Sequence, residues 1–472
     1  MSGYVGRGIN YGNAATDHFT GNGGATYTLN YDTTTDGVIV SLDGVVQKNG
    51  TDFNVTSGTS LVFTSVVASP IAIQVVYTGL TLALGSPADG TVTDAKITAM
   101  SASKLTGALP AISGASLTNL PIDPTRNFII DGDFTQWPEG TGATTAVHNN
   151  YGPALWDTGF SHDGAVTWER STDVPTVSAS NHQSKYSLLY KCTSTDTSIA
   201  SYQNFRTRYY VTGSDFTALH QQTVTLSFWC KTASANSGHT YYFNLHNSAT
   251  NRSYVQSFTP TSTWTKFTYT IDLDTSGTWL FTEADIGLEV SFHLVSGTDY
   301  DNGTIGSWVG TGSEFWASGT PISNFLDSTS NEIYFSQVGL YLGSSAPDSF
   351  VSEPISTVKD QVEYYVQKLL GGTANQWGYN GSCASSTLAY VFLNFHRTMR
   401  KAPTVSFKGT NSNFNVFNNN TNDNCSADPV FDTVGLDTCR CTLTVASGLN
   451  ISDAASIRVD TTSDYILADA RH

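Results

Sequence analysis

Apolar and polar residues alternate in short stretches along most of the chain, which is the pattern of half-buried β-strands. In the first part, alternation and β-branched residues predict a row of short strands, at residues 25–31, 37–42, 53–55, 60–64 and 71–77. Two turn signals, Asp43-Gly44 and Asn49-Gly50, separate the second of these strands from the third. Residues 1–80 are therefore predicted to form a small antiparallel β-sandwich.

The sequence changes character in residues 81–126, where small side chains leave little material for an independent core. We interpret this segment as a stalk or linker between folded parts. A flexible linker in a monomer is the alternative on composition alone.

Residues 127–350 contain aromatic runs with a period of two. These runs are residues 224–230, 240–245, 264–271 and 287–294. Short strands at regular spacing, with no helix-length pattern between them, predict a two-sheet jelly roll. Two phrases bracket the region, residues 127–137 and 331–343, and we expect them to be the first and last strands of this sandwich.

Residues 351–472 begin with a clear helical pattern. Its apolar face consists of Val358, Val362, Tyr365, Val366 and Leu369, and Gly371-Gly372 is the predicted stop. Strands are predicted again afterwards, at residues 387–395, 403–407 and 441–445. The whole chain is predicted to be all-β and elongated, with tandem β-sandwich domains, a stalk, and a last β-domain that carries one short helix.

Composition narrows the choice of partners. Charged residues make up 13% of the chain, aromatic residues make up 12%, and the net charge is −17 at pH 7. This acidity argues against a nucleic acid or an anionic membrane as partner, because both attract positive patches. The start lacks the apolar run of a signal peptide, and no apolar stretch of about eighteen residues occurs, so neither secretion nor membrane insertion is expected. Neutral glycans are compatible with this composition.

The six cysteines, at positions 192, 230, 383, 425, 439 and 441, are sparse for a chain of 472 residues and predict buried free thiols. A metal ion held by Cys383, Cys425, Cys439 and Cys441 is the alternative. A single C-x-C spacing, however, falls short of the paired C-x-x-C elements of a zinc site.

Catalytic motifs are missing from the sequence: it has no Gly-x-Ser-x-Gly elbow, no His-Glu-x-x-His and no phosphate-binding loop. Asp131 and Asp133 lie near Trp137 and Glu139, which leaves a glycosidase-like carboxylate pair open. On a strand the two aspartates share a face, an arrangement that also occurs in turns and calcium sites. The chain is not expected to be an enzyme.

Sugar recognition needs flat aromatic faces for the apolar side of a pyranose ring, with amide and carboxylate groups that reach its hydroxyls. Aromatic residues in two Gly-rich stretches meet this need, and the candidates are Trp308, Phe315, Trp316, Trp377 and Tyr379. Packing within its own domain is the alternative for each of them. The Asn-rich stretch 411–424 predicts an exposed loop or a loosely paired hairpin, which a receptor-facing tip could use.

Several phrases of the sequence resemble bacteriophage tail-fibre and receptor-binding proteins. They are residues 36–47, Val92-Thr-Asp-Ala-Lys-Ile97, residues 127–137, residues 331–343 with the following 359–370, and Met399-Arg-Lys-Ala-Pro-Thr-Val405. The resemblance implies a homotrimeric virion fibre that is made in the host cytoplasm and attaches to other virion proteins, of the tail or the capsid, through its N-terminal domain. The implied domains are an attachment sandwich at 1–80, a trimeric stalk at 81–126, a carbohydrate-binding-module-like jelly roll at 127–350 and a terminal knob at 351–472.

The same resemblance implies that the last two domains bind a host cell-surface polysaccharide. In carbohydrate-binding jelly rolls the strand that corresponds to Asp131-Gly-Asp-Phe134 often lies beside a structural calcium, and Glu332 would complete that site with Asp131 and Asp133. No other cofactor is expected. Two further functions stay open, a head fibre or decoration protein with a structural role only, and a polysaccharide depolymerase or esterase. Phage depolymerases usually carry a long repetitive β-helix, and the sequence shows no such repeat.

Overall fold

Antiparallel β-sheet dominates the computed structural model, which describes residues 14–78 and 125–472 apart from residues 248, 250–251, 311–315, 320–321 and 420. The chain divides into two compact units, Met1–Gly114 and Ala115–His472. The all-β class of tandem β-sandwiches, predicted from the alternation pattern, is confirmed. Most of the segment predicted as a stalk, residues 81–126, lies outside the described residues.

Seven strands form the N-terminal sandwich, with one sheet in the order β1-β7-β3-β4 and another in the order β2-β6-β5. Their bounds are β1 Thr16–Thr20, β2 Thr26–Thr28, β3 Val38–Leu42, β4 Val45–Val46, β5 Phe53–Thr56, β6 Ser60–Phe63 and β7 Ala72–Tyr77. Five of these correspond to the predicted strands, whereas the pattern does not predict β1 and β4. Asp43 and Gly44 have φ angles of 42° and 85° and make the predicted turn between β3 and β4.

Thirteen strands and two short helices form the central sandwich. Their bounds are β8 Thr144–Thr145, β9 Asn150–Tyr151, β10 Trp156–Ser161, β11 Ala165–Ser171, α1 Val177–Ser180, β12 Ser187–Ser194, β13 Asn204–Thr212, α2 Gly213–Phe216, β14 Thr223–Thr232, β15 Tyr241–Asn247, β16 Arg252–Phe258, β17 Thr265–Asp272, β18 Ile286–Ser296, β19 Trp308–Gly310 and β20 Glu332–Leu342. The two sheets have the orders β19-β16-β15-β18-β13-β10-β9 and β17-β14-β20-β12-β11-β8.

Aromatic side chains fill the space between these two sheets. Phe292 from the first sheet and Phe335 from the second meet with ring centroids 4.6 Å apart, and both are fully buried. Phe228 contacts Phe292 at 4.8 Å. The period-2 aromatic runs therefore do place one face inward, as the sequence predicts.

The phrase at residues 127–137 does not form the predicted first strand. It is a turn that lies along β20, held by two backbone hydrogen bonds, from Phe128 N to Leu340 O and from Val338 N to Gly132 O, and by the side chain of Asn127. Asn127 Oδ1 accepts a hydrogen bond from Leu340 N at 2.9 Å, and its Nδ2 donates to Val338 O at 3.1 Å. The backbone of Gly132 lies so close to Val338 O that a Cβ atom on Gly132 would stand 1.8 Å from this oxygen. The expected neighbour relation with residues 331–343 is therefore present, but without a strand.

One helix and ten strands form the terminal sandwich. Their bounds are α3 Ile355–Glu363, β21 Val366–Gly371, β22 Gln376–Cys383, β23 Leu388–Asn394, β24 Thr404–Lys408, β25 Phe414–Asn418, β26 Thr421–Asn424, β27 Val430–Asp432, β28 Thr438–Thr444, β29 Ala454–Val459 and β30 Tyr465–Asp469. Its sheets have the orders β21-β30-β24 and β26-β25-β29-β22-β23-β28-β27.

The predicted helix is correct only in its first half. It ends at Glu363, and Val366–Gly371 is a strand that pairs with β30. Val366 and Leu369 are buried by this pairing instead of by a helical face. Pairing with a distant strand overrides the local pattern, which has apolar residues that suit either structure.

The central and terminal sandwiches lie in one compact unit and share a core. Val358, Val362 and Tyr365 join the apolar cluster of the central sandwich. Arg471 reinforces the junction: its guanidinium donates to Ala154 O at 3.0 Å and to Glu139 Oε1 at 2.6 Å. Two sandwiches joined in this way hold a fixed relative orientation.

Candidate functional site

Of the five aromatic candidates from the sequence, Trp308 and Trp316 belong to the central sandwich, and Phe315 lies outside the described residues. Trp316 is 4% exposed and its ring has the guanidinium of Arg206 at 3.8 Å and the parallel ring of Tyr300 at 3.9 Å. Two groups at these distances must occupy opposite faces of the indole. Trp316 therefore has no ring face free for a sugar.

Trp308 also packs within its own domain. Its indole N–H donates to Asp272 O at 2.9 Å, and Trp279 and Tyr254 contact its ring at 5.9 Å each. It is partly exposed, but the contacts are those of a residue that closes the end of a core. The packing alternative thus describes both tryptophans of this stretch.

A buried polar layer under Trp316 is the feature that the sequence pattern does not reveal. It covers the outer side of the seven-stranded sheet, where Arg208 forms a two-point ion pair with Asp157 at 2.9 and 2.6 Å. Glu289 and His293 from β18 lie in the same layer. Burial, followed by the nearby Arg206 charge, lowers the pKa of His293 well below its usual range. Alternation of Phe205, Arg206, Thr207 and Arg208 along β13 was the only available signal.

The three carboxylates of the predicted calcium site are not assembled. Asp131 Oδ1 accepts hydrogen bonds from Thr135 N and Oγ1 at 2.8 and 2.6 Å, and Asp133 Oδ2 lies 3.1 Å from His182 Nε2. Glu332 instead accepts a hydrogen bond from Tyr334 and lies 3.7 Å from Lys191 Nζ.

Strand geometry explains the separation. Asp133 reaches β20 at Ser336, which is four positions from Glu332 and therefore roughly 13 Å away along the strand. Asp131 has a φ of 54°, so Asp131 and Asp133 belong to a turn and do not share a strand face. In the part of the chain that the structure describes, no group of three His, Cys, Asp or Glu side chains is arranged for a metal ion.

Burial raises the pKa of Asp131 to about 7, against the hydrogen bonds from Thr135 and Gln136 that favour its charged form. Its neighbour Trp137 is buried, with the indole N–H bonded to Phe134 O at 2.7 Å. This environment is that of a turn that is locked against β20.

The remaining candidates, Trp377 and Tyr379, lie in the terminal sandwich, and Trp377 is on the outer side of its seven-stranded sheet. Alternation along β22, β23, β25, β28 and β29 turns one set of side chains away from the core. We call this surface the aromatic face, and it comprises Trp377, Asn380, Tyr390, Phe392, Phe417, Asn422, Arg440, Ser456 and Arg458. The inward set, with Val391, Leu443 and Ile457, is fully buried.

Trp377 is the most prominent side chain at one end of the aromatic face. It is 49% exposed, and its ring and that of Phe417 meet edge to face, with centroids 4.5 Å apart and an angle of 89°. Trp377 pairs with Arg458 across β22 and β29, and the guanidinium lies over the indole, 5.6 Å from its centroid. The indole is therefore held by a ring and a guanidinium while it remains half-exposed.

Tyr379 does not join Trp377 on this surface. An irregularity in the pairing of β22 with β29 lies between Trp377 and Asn380. Tyr379 turns toward the core, and its hydroxyl donates to Leu369 O at 3.3 Å. A bulge of this kind cannot be read from local sequence, because it depends on the partner strand.

The Asn-rich stretch forms the hairpin β25–β26, one of the two predicted alternatives, and it brings Phe417 and Asn422 to the aromatic face. Asn422 Nδ2 donates to Asn415 Oδ1 at 3.1 Å, and Ser456 Oγ donates to Asn380 Oδ1 at 2.6 Å. The side-chain N–H groups of Asn380 and the carbonyl of Asn422 take part in neither bond. Amide donors and acceptors therefore stand around Trp377.

Both arginines of the aromatic face are neutralised by their neighbours. Arg440 makes a two-point pair with Asp432 at 2.7 and 2.8 Å, and Arg458 binds Asp460 Oδ1 at 2.7 and 2.6 Å. The face thus presents planar groups and hydrogen-bonding groups without a net positive charge. Its chemistry suits an uncharged polar ligand with apolar ring faces.

The cysteines are free and buried, as the sequence predicts. Cys383, Cys425, Cys439 and Cys441 line the core of the terminal sandwich. Burial raises the pKa of Cys425 and of Cys439 to about 12.

No helix in the described ranges is long and apolar enough to cross a membrane.

No protein-family model and no curated protein matches the chain. Among solved structures, a family 11 carbohydrate-binding module of Clostridium thermocellum, in complex with a β-1,3-1,4-mixed-linked tetrasaccharide, is 14% identical, with 44% of this chain and 98% of that chain covered and a TM-score of 0.24. The enzymatically active domain of tailspike protein 4 from bacteriophage CBA120 is 12% identical, with coverages of 40% and 19% and a TM-score of 0.23. Similarities this slight carry no conclusion about function.

Proposed function

We propose that this chain is a glycan-binding adhesin that holds carbohydrate on the aromatic face of its terminal sandwich. The observation that carries the proposal is Trp377, half exposed and in edge-to-face contact with Phe417, with amide groups of Asn380 and Asn422 on the same surface. An indole whose position is fixed before binding offers an apolar surface to a pyranose ring at little entropic cost. The amides then select among the sugar hydroxyls.

The proposed action is binding and not catalysis. The two aspartates next to Trp137 are held by Thr135 and His182, in a turn that packs on β20. Beside the aromatic face, Asp432 and Asp460 are each paired with an arginine. In both environments neighbouring side chains engage the carboxylates, which favours binding over the free acid and base pair of a glycosidase.

The biological setting that we propose is a bacteriophage tail fibre. The sequence resemblance lies in the N-terminal sandwich, the 81–126 segment and the terminal knob, and it supports a homotrimer. In this proposal the N-terminal residues attach to the virion and the C-terminal residues bind host polysaccharide. Individual sugar contacts are weak, and three copies per fibre raise avidity through effective concentration. An acidic chain with a net charge of −17 suits a neutral glycan better than an anionic one.

The test is binding of the full-length, fluorescently labelled protein to phage-susceptible and phage-resistant cells, with and without mild periodate oxidation of surface sugars. The proposal expects binding to susceptible cells only, and loss of this binding after oxidation. Binding that survives oxidation would point to a protein receptor. Absence of binding to both cell types would favour a purely structural fibre.

A further inference from the structure

A second exposed aromatic residue shares the face with Trp377. Phe392 on β23 is 55% exposed, and it pairs across the sheet with Arg440 on β28. Arg440 is held in place by Asp432 and lies over the ring of Tyr390 at 4.6 Å. Phe392 therefore presents an exposed aromatic ring beside a guanidinium that is held in place, on the same face as Trp377.

The register of the strands gives the separation of the two rings. Gly381 on β22 pairs with Val391 on β23. In this register Phe392 is level with Asn380, and the irregularity in β22 places Trp377 two positions from Asn380 when measured along β29, at Arg458 against Ser456. With about 3.3 Å per residue and about 4.8 Å between strands, the backbones of Trp377 and Phe392 are roughly 8 Å apart.

Uncharged polar side chains adjoin these two residues on the sheet. Asn380 points out from β22 level with Phe392, with Ser456 beside it on β29, and the pair of Ser382 and Tyr390 lies on the side of Phe392 away from Trp377. These side chains belong to regular strands of one sheet. A single sugar ring is too short to contact both Trp377 and Phe392, whereas a chain of sugars laid over the sheet contacts both.

We infer that the aromatic face binds an internal stretch of an extended, uncharged polysaccharide, with one sugar on Trp377 and another, further along the same chain, on Phe392. The inference rests on the proposed function and specifies its ligand class. Each arginine of the face is already paired with an aspartate, so neither is available to bind a negatively charged sugar. Because the second contact is intramolecular once the first is made, affinity rises with oligosaccharide length.

The experiment uses the full chain and a probe panel of dextran, mannan, galactan and mixed-linkage β-glucan, each as polymer, as tetrasaccharide and as monosaccharide. Dissociation constants are measured for the wild type, Trp377→Ala, Phe392→Ala and a control variant, Tyr202→Ala, which removes an exposed aromatic ring of the central sandwich. For at least one polymer, the wild type is expected to bind the tetrasaccharide at least about tenfold more tightly than the monosaccharide. Phe392→Ala is expected to abolish this length dependence without weakening monosaccharide binding, and Tyr202→Ala to leave both unchanged.

These outcomes distinguish a failure of the extended site from a failure of glycan binding itself. Equal affinity for monosaccharide and polymer, or an equal loss for all lengths in Phe392→Ala, overturns the extended site but leaves glycan binding in place. Binding of no probe by the wild type contradicts the proposed function itself. A change of molar mass in Phe392→Ala, measured by light scattering, would show that the face is instead an interface between copies of this chain.

Discussion

Trp377 and Phe417 meet edge to face, 4.5 Å between ring centroids, although they come from strands β22 and β25 that are separated in the sheet by β29. The two rings reach toward each other over Arg458 and Ser456. This contact turns an exposed indole into a fixed one. The contact also joins two distant parts of the sequence, the Gly-rich stretch that contains Trp377 and the Asn-rich hairpin, into one surface.

Removal of the supporting ring in Phe417→Ala is expected to weaken glycan binding about two- to tenfold, because an aromatic pair contributes about 0.5–1.5 kcal/mol. The variant keeps Trp377, so the loss of affinity measures how far Phe417 positions the indole. Phe417→Tyr keeps the ring and is the matched control, with near wild-type affinity. Equal losses in both variants would assign the effect to the hairpin backbone and contradict this role.

The ion pair between Asp157 and Arg208 in the buried layer is expected to be critical for stability. Asp157→Asn leaves the guanidinium buried without its partner, which costs about 3–5 kcal/mol of unfolding free energy. The exposed pair of Arg126 and Asp215 is the comparison, and Asp215→Asn should cost less than about 1 kcal/mol. Guanidinium denaturation followed by tryptophan fluorescence measures both, and similar small losses would show that the layer is not closed to water.

Acidification is expected to destabilise the central sandwich through His293. Burial keeps this histidine neutral when folded, while the unfolded chain takes up a proton below about pH 6.5. The group contributes its full stability above that pH, and the contribution falls by up to about 1.4 kcal/mol per unit of pH below it. Arg206, His246 and Arg208 face the same layer, and their charges add to the effect of burial in lowering the pKa of His293.

The check compares the urea midpoints of the wild type and His293→Gln at pH 7.5 and pH 5.5. The gap between the two proteins should narrow at the lower pH, because the variant has no imidazole to protonate. A gap that stays constant over this range contradicts burial of a neutral His293.

The thiols are expected to be unreactive in the folded protein. Burial raises the pKa of Cys192 to about 11 and that of Cys425 and Cys439 to about 12, so almost no thiolate is present at neutral pH. Dithionitrobenzoate should therefore release no colour from the native chain and six equivalents after denaturation. Rapid reaction of any thiol in the native protein would contradict the packing of these cores.

The sequence predicts the sandwiches well because alternation is a local property. Helix α3 shows where local pattern stops being sufficient: Val366 and Leu369 continue an apolar helical face, yet pairing with β30 makes them a strand. Asn127 shows the same limit, since its side chain helps to hold a turn on β20 where the sequence pattern predicts a strand. Both outcomes depend on partners more than ninety residues away in the chain.

The candidate site can be predicted from the sequence only in part, for a similar reason. Trp377 and the Asn-rich hairpin each suggest sugar recognition, but their contact depends on β29 lying between them. Trp316 also lies in a Gly-rich stretch, as Trp377 does, but it is buried by Arg206 and Tyr300. Flanking residues do not distinguish an exposed indole from a packed one, because exposure is decided by distant strands.

The most direct test of the central claim is periodate-sensitive binding of Trp377→Ala to susceptible cells, measured beside the wild type and Tyr202→Ala. Loss of a central aromatic contact costs at least about 2 kcal/mol, so the variant should bind about thirtyfold more weakly while it keeps its thermal stability. Tyr202→Ala should bind as the wild type does. Undiminished binding by a folded Trp377→Ala protein would contradict the account, because the carbohydrate would then be held elsewhere.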